Sequence, residues 1–164
     1  MKITRIALLA GMSAVGVFAQ LPSQKMLTVE LAETIAQEAM AKCRADGFKV
    51  TVTVVDHANM LKAFLRDDGA AMATIEVGRM KTNSVMAFGR PSGPPPPPPN
   101  MPPGTAPPTG GGIALPGTIN AAGGMPIKAG DQLIGAVSVS GAPGGDKDVV
   151  CANAALAKVA DKLR

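Results

Sequence analysis

The sequence predicts an α+β fold, an antiparallel sheet with helices packed on it. Amphipathic helical spacing recurs three times, over about 28–45, 70–88 and from Asp146 to Leu163. Two strand–turn–strand patterns lie between these helices, and their connections are too short for parallel crossovers. The order is helix, strand, strand, helix, loop, two or three strands, helix, which layers helices against hairpins. With 164 residues, 46% of them hydrophobic, the chain suits one domain. Its core is aliphatic, because the chain has no Trp or Tyr and only four Phe.

The first 19 residues form a separate object. Lys2 and Arg5 precede an apolar run from Ile6 to Val17, and Val17 and Ala19 occupy the small positions before a cleavage point. This is the pattern of a secretory signal peptide, too short for a membrane span. A mature domain of 20–164 in the periplasm or outside the cell is expected, with a retained N-terminal anchor as the alternative.

Thr28 is a good N-cap for the first helix, Glu30 suits its dipole, and Ala32, Ile35, Ala36, Ala39, Met40 and Cys43 recur on one face. Gly47 ends it. In the strand from Lys49 to Asp56, Val50, Val52 and Val54 face one way, and Thr51, Thr53 and Val55 the other. Asp56-His57-Ala58-Asn59 is turn chemistry, Leu61–Arg66 returns as a second strand, and Asp67-Asp68-Gly69 closes the hairpin. The second helix has a less polar side at Ile75, Gly78, Thr82, Val85 and Met86, a polar stripe at Glu76, Arg79 and Asn83, and a stop at Gly89.

Residues 91–112 break every pattern, with prolines at 91, 94–99, 102–103 and 107–108. No charge occurs from Pro91 to Ile127. The insertion is a polyproline or flexible segment, read either as a variable surface loop or as a ligand for a proline-recognising module. Gly117–Ala122 is expected as a short edge strand. Strands at Met125–Ala129 and Gln132–Ser140 follow, joined at Gly130-Asp131. A glycine loop, Ser140 to Gly145, then leads to the last helix. Such a corner can offer backbone N–H groups to an anion, although Asp146 and Asp148 in the first turn compete for the same dipole.

The net charge of +4 is mild and scattered, with neither an Arg-rich run nor interleaved aromatics, so nucleic-acid binding is not expected. No other stretch is apolar enough to span a membrane. Cys43 and Cys151 sit on apolar helix faces, where a disulfide and two buried thiols are both open readings. Enzyme signatures are absent: Asp56-His57 has no placed serine, and no Lys-Ser/Thr follows the 141–145 glycines. An enzyme is therefore the less favoured class.

Four stretches carry a family resemblance: Leu27-Thr28 with the first helix, VTVVDHANMLKAFLRDDGA at 52–70, KTNSVMAFGRPS at 81–92 and GGMPIKAGDQLIGAVSVSGAPGGDKDVVCA at 123–152. Together they resemble the GlcG/HbpS-like haem-binding family, which is related to the PduO C-terminal domain. The resemblance covers about 27–92 and 117–163. It implies a profilin-like antiparallel sheet of about five strands, in the order α-β-β-α-β-β-β-α. It also implies homo-oligomers from dimers to octamers and an association with haem, sometimes with haem degradation or iron handling. The chain departs from the family at Asn59, where glycine is usual, and in the proline tract after Arg90.

For haem, His57 is the single imidazole and the candidate iron ligand, in an exposed turn. Met60, Met80 and Met86 are thioether alternatives that more commonly serve as packing. Arg66, Arg79, Lys81 and Arg90 are the candidate propionate partners, and Ser140 and Gly141 open the anion-binding loop. Asp148 is read first as a cap or interhelix anchor. The leading expectation is an exported haem-binding protein with a groove near His57 and the helix at 70–88. A small-carboxylate-binding accessory protein or enzyme and a ligand-free structural oligomer are the alternatives.

Overall fold

The computed structural model describes residues 23–94, 100, 102 and 115–164. The expected leader at 1–19 and most of the expected insertion at 91–112 lie outside the described residues. The elements are α1 (Val29–Ala45), β1 (Thr51–Asp56), β2 (Leu61–Arg66), α2 (Ala73–Phe88), β3 (Gly124–Ala129), β4 (Gln132–Ser140) and α3 (Gly145–Lys158). A short 3-10 turn, Ala160–Leu163, ends the chain.

The capping residues act as their chemistry requires. Thr28 Oγ1 accepts the Leu31 N–H at the start of α1. Gly89 ends α2 in the left-handed region at φ 65°. The start of α2 falls at Ala73 rather than near 70. Ala70 N–H bonds Asp67 O, and Thr74 and Ile75 bond Ala71 and Met72, so the entry is a series of tight turns.

The sheet is antiparallel in the order β2-β1-β4-β3. Here the structure corrects the expected fifth strand. Gly117–Ala122 forms no ladder, because its backbone is held by side chains after and within α2. Asn83 Nδ2 donates to Gly117 O, Ile119 N–H donates to Ser84 Oγ, and Ser92 Oγ donates to Ala121 O. With these groups already partnered, nothing drives a strand pairing along β3.

β1 and β4 are central and buried on both faces. On one face, Val50, Val52, Val54, Val137 and Val139 pack under α1 and α3 in the main core. Cys43 of α1 and Cys151 of α3 are joined there as a disulfide, Cα to Cα 5.5 Å apart. The opposite face meets α2 through small and polar side chains. Thr51 and Thr74 share a 2.7 Å hydrogen bond, and Ser138 Oγ donates to Gly78 O at 2.7 Å. Among the described residues, Val55, Val85 and Ala136, with Met86 against them, make the buried apolar cluster on that face. No helix among the described residues is long and apolar enough to cross a membrane.

Candidate functional site

Two concavities flank α2. The first is a groove of about 400 Å3 between α2 and the β1–β2 hairpin. Its origin is a register irregularity. Thr53 pairs with Phe64 and Val54 with Ala63, but Val55 pairs with Leu61, so Lys62 is the extra residue of a bulge. Strict alternation would place Leu61 with Ala63 and Leu65 on the main-core face. The bulge turns it over to join Phe64 on the α2 side. Because α2 packs over β1, β3 and β4, this face of β2 remains open.

The groove floor is Thr53 and Val55, and its apolar walls are Met60, Leu61, Phe64 and Ile75. Met60 and Leu61 are well exposed, Leu61 at 61%. Glu76 and Arg79 stand on the α2 rim, and Asn59 Nδ2 donates to Asn83 Oδ1 at 2.9 Å, bridging hairpin and helix. The hairpin tip is held by Asp56 Oδ1, which accepts the Ala58 and Met60 N–H groups, and Asn59 takes the left-handed conformation at φ 59°. Thr53 is 4% exposed, and its hydroxyl has no partner among the described residues.

The second concavity, about 420 Å3, lies where the starts of α2 and α3 approach the end of β4. At its base Lys81 Nζ donates to Asp148 Oδ2 at 2.7 Å and to Val139 O at 2.8 Å. Asp148 Oδ1 accepts the Ala142 N–H at 3.0 Å, so this carboxylate anchors both α2 and the glycine loop. Burial pushes the Asp148 carboxyl above its usual range, outweighing the downward pull of Lys81. Gly123, at φ 126°, makes room for the pair: a Cβ there would lie 2.5 Å from Lys81 Nζ. Gly141 is equally constrained, since its Cβ would lie 2.6 Å from Lys49 O.

The sequence-predicted site residues are therefore divided. Lys81, Ser140 and Gly141 surround the second cavity, and Arg79 and the thioether candidate Met60 line the groove. Lys81 is 3% exposed and already paired, so it is not a free propionate cation. Arg66 donates to Ala70 O, and Arg90 donates to Gly93 O while lying over the Phe88 ring. Neither Arg66, Arg90 nor His57 lines either concavity. His57 is half-buried rather than fully exposed, and its Nδ1 is buried without a partner among the described residues. The groove residues missed from sequence are Thr53, Leu61, Phe64 and Ile75. For Leu61 and Phe64 the signal is a hydrophobic pair three apart in a strand, and it needs the bulge to be interpretable. Among the described residues no cluster of three or more His, Cys, Asp or Glu could hold a metal ion.

Comparisons with known proteins agree with this architecture. The crystal structure of HbpS superposes with a TM-score of 0.69 at 27% identity, covering 87% of this chain and 99% of that one. A double mutant of Streptomyces reticuli HbpS gives the same score and identity over 90% and 98% of the two chains. At the level of fold alone, a complex of PduOC with haem gives a TM-score of 0.65 at 18% identity, covering 81% and 94%. A comparison with curated protein sequences finds no match. The family model described as "Haem degrading protein HbpS-like" matches residues 27–157, which spans α1 to β4 and all of α3 but its final residue. On that match the chain belongs to the HbpS-like family.

Proposed function

We propose that this protein binds haem, or a closely related tetrapyrrole, in the groove between α2 and the β1–β2 hairpin. The carrying observation is the open apolar plate made by Leu61, Phe64 and Ile75 with the Arg79 guanidinium at its rim. These residues fit the group. A tetrapyrrole needs an apolar slot and a cation for a propionate. Its edge can lie along Leu61 and Phe64, and Arg79 is within the same lining. Bound haem would supply iron redox chemistry. The chain's own contribution is to exclude water from one ring face and to orient a carboxylate. Family membership and the PduOC–haem complex support this reading.

Hemin titration of the purified protein, followed by absorbance, tests it. A saturable Soret shift is expected. Leu61→Asp and Phe64→Asp should abolish it, and Arg79→Ala should weaken it. Because the His57 imidazole lies off the groove, His57→Ala should retain binding. No shift in the parent protein would overturn the reading.

The same reading includes export and self-association. An oxidising compartment is supported by the Cys43–Cys151 disulfide, and a homo-oligomer by the exposed Met60 and Leu61. N-terminal sequencing of secreted material and native mass measurement test these two parts.

A further inference from the structure

We propose that the second cavity, between the starts of α2 and α3, is a separate binding site for a small monocarboxylate anion. The unspent groups around it are mostly donors. Lys81 has three ammonium protons, and its two described bonds are to Asp148 and Val139 O. The backbone N–H groups of Gly141, Gly145 and Asp146 have no hydrogen-bond partner among the described residues.

Ser140 supplies the independent observation. Its side chain is 4% exposed and lines the cavity, yet its hydroxyl makes no hydrogen bond among the described residues. That hydroxyl is not one of the sealed-off unpartnered atoms, so it opens onto the cavity, where it can donate to an acceptor. Asp148 does not oppose an anion strongly, because Lys81 and the Ala142 N–H engage both of its oxygens. The first turns of α2 and α3 both border the cavity and add favourable potential.

Shape and charge set the ligand class. The walls are short apolar side chains, among them Val77, Ala121 and Ala122, which leave room for a few carbons beside the carboxylate. Among the described residues the lining holds one cation, Lys81, and two carboxylates: Asp148, which is paired with Lys81, and the exposed Asp146. That balance disfavours dianions such as succinate or phosphate.

Thermal-shift and calorimetric titrations of the full chain with acetate, propionate and lactate, set against succinate and phosphate, test the proposal. At least one monocarboxylate should bind saturably and raise Tm, with the dianions weaker. Ser140→Ala, which removes no described hydrogen bond, should weaken binding about tenfold. Asp146→Asn should tighten it several-fold. The proposal fails if no monocarboxylate binds, if the dianions bind as well, or if Leu61→Asp abolishes binding and Ser140→Ala does not. It is independent of the haem reading, since Ser140 lies outside the groove lining and Leu61 outside that of the cavity.

Discussion

Lys81 Nζ lies 2.7 Å from Asp148 Oδ2 with both side chains almost wholly withdrawn from solvent, tying α2 on one face of the sheet to α3 on the other. A buried pair of this kind need not add net stability, but removing one partner strands the other charge. Lys81→Met is expected to cost about 3–5 kcal/mol at neutral pH. The pH dependence has a definite sign. The folded-state Asp148 carboxyl is raised by burial, so the folded state holds that proton more tightly than the unfolded one. Its contribution is most favourable below the unfolded carboxyl value and is lost as pH rises through the folded one. Without Lys81 this effect strengthens, so the deficit of Lys81→Met should shrink on acidification. Urea denaturation of parent and variant at pH 5 and pH 8 measures it; an equal deficit at both would contradict the account.

The Cys43–Cys151 disulfide joins residues 108 apart in sequence. In the chain-entropy account, closing a loop near this length restricts the unfolded chain by roughly 4–5 kcal/mol, and losses of about 2–5 kcal/mol are typical in small secreted domains. The Cys43→Ser/Cys151→Ser double variant should therefore lose about 2–5 kcal/mol relative to the parent. Thermal unfolding of the parent with and without reductant should show the same trend. Equal Tm values in fully reduced and oxidised protein, verified by thiol titration, would show that the cross-link is energetically idle.

Asp67 predicts the acid limb of stability. Arg44 Nη2 and Nε donate to its two oxygens at 2.9 and 3.1 Å, and these bonds hold the carboxyl below its usual range. A lowered folded value gives stability that is present above the unfolded carboxyl range, near pH 4, and lost as pH falls through the folded value. Asp67→Asn should therefore flatten the stability–pH curve below about pH 4, and 1 M salt should weaken the effect. A parent and variant with superimposable acid limbs would exclude this role.

Much of the fold was legible because local chemistry and tertiary demands agree. Thr28, Gly47 and Gly89 mark helix ends that occur where their side chains or backbone freedom place them. The alternation of Val50, Val52 and Val54 with Thr51, Thr53 and Val55 separates the two faces of β1, as found. Gly117–Ala122 was misread as a strand because its partners, Asn83, Ser84 and Ser92, are distant in sequence. The candidate site was less legible. Its groove depends on one bulged residue, Lys62, and its second cavity on Lys81 meeting Asp148 across 67 positions. Period-two and helical patterns carry neither kind of information. The inner face of α2 was also obscured, since the polar Thr74, Lys81 and Ser84 are buried there and hydrophobic spacing does not mark them.

Gly135 offers a sharp test of the sheet's centre. It lies in β4 opposite Asp56 on one side and Ile127 on the other. A Cβ at this position would run into Val55 O and would lie 3.2 Å from Leu27 Cδ2. The carbonyl belongs to the neighbouring strand and cannot rotate away as a side chain can. Gly135→Ala is therefore expected to destabilise by about 1–3 kcal/mol or more, as overpacking against backbone does. Leu27 is itself buried in the core, so the comparison is with Leu27→Ala alone: Gly135→Ala should cost as much in that background as in the parent, because Val55 O remains. Gly130→Ala is the comparison: its φ is 64°, but nothing lies within 4 Å of the added carbon. Only the backbone penalty applies there, about 1 kcal/mol. Chemical denaturation of these variants separates the two causes. If Gly135→Ala costs nothing in the Leu27→Ala background, side-chain crowding at Leu27 rather than strand approach explains the glycine.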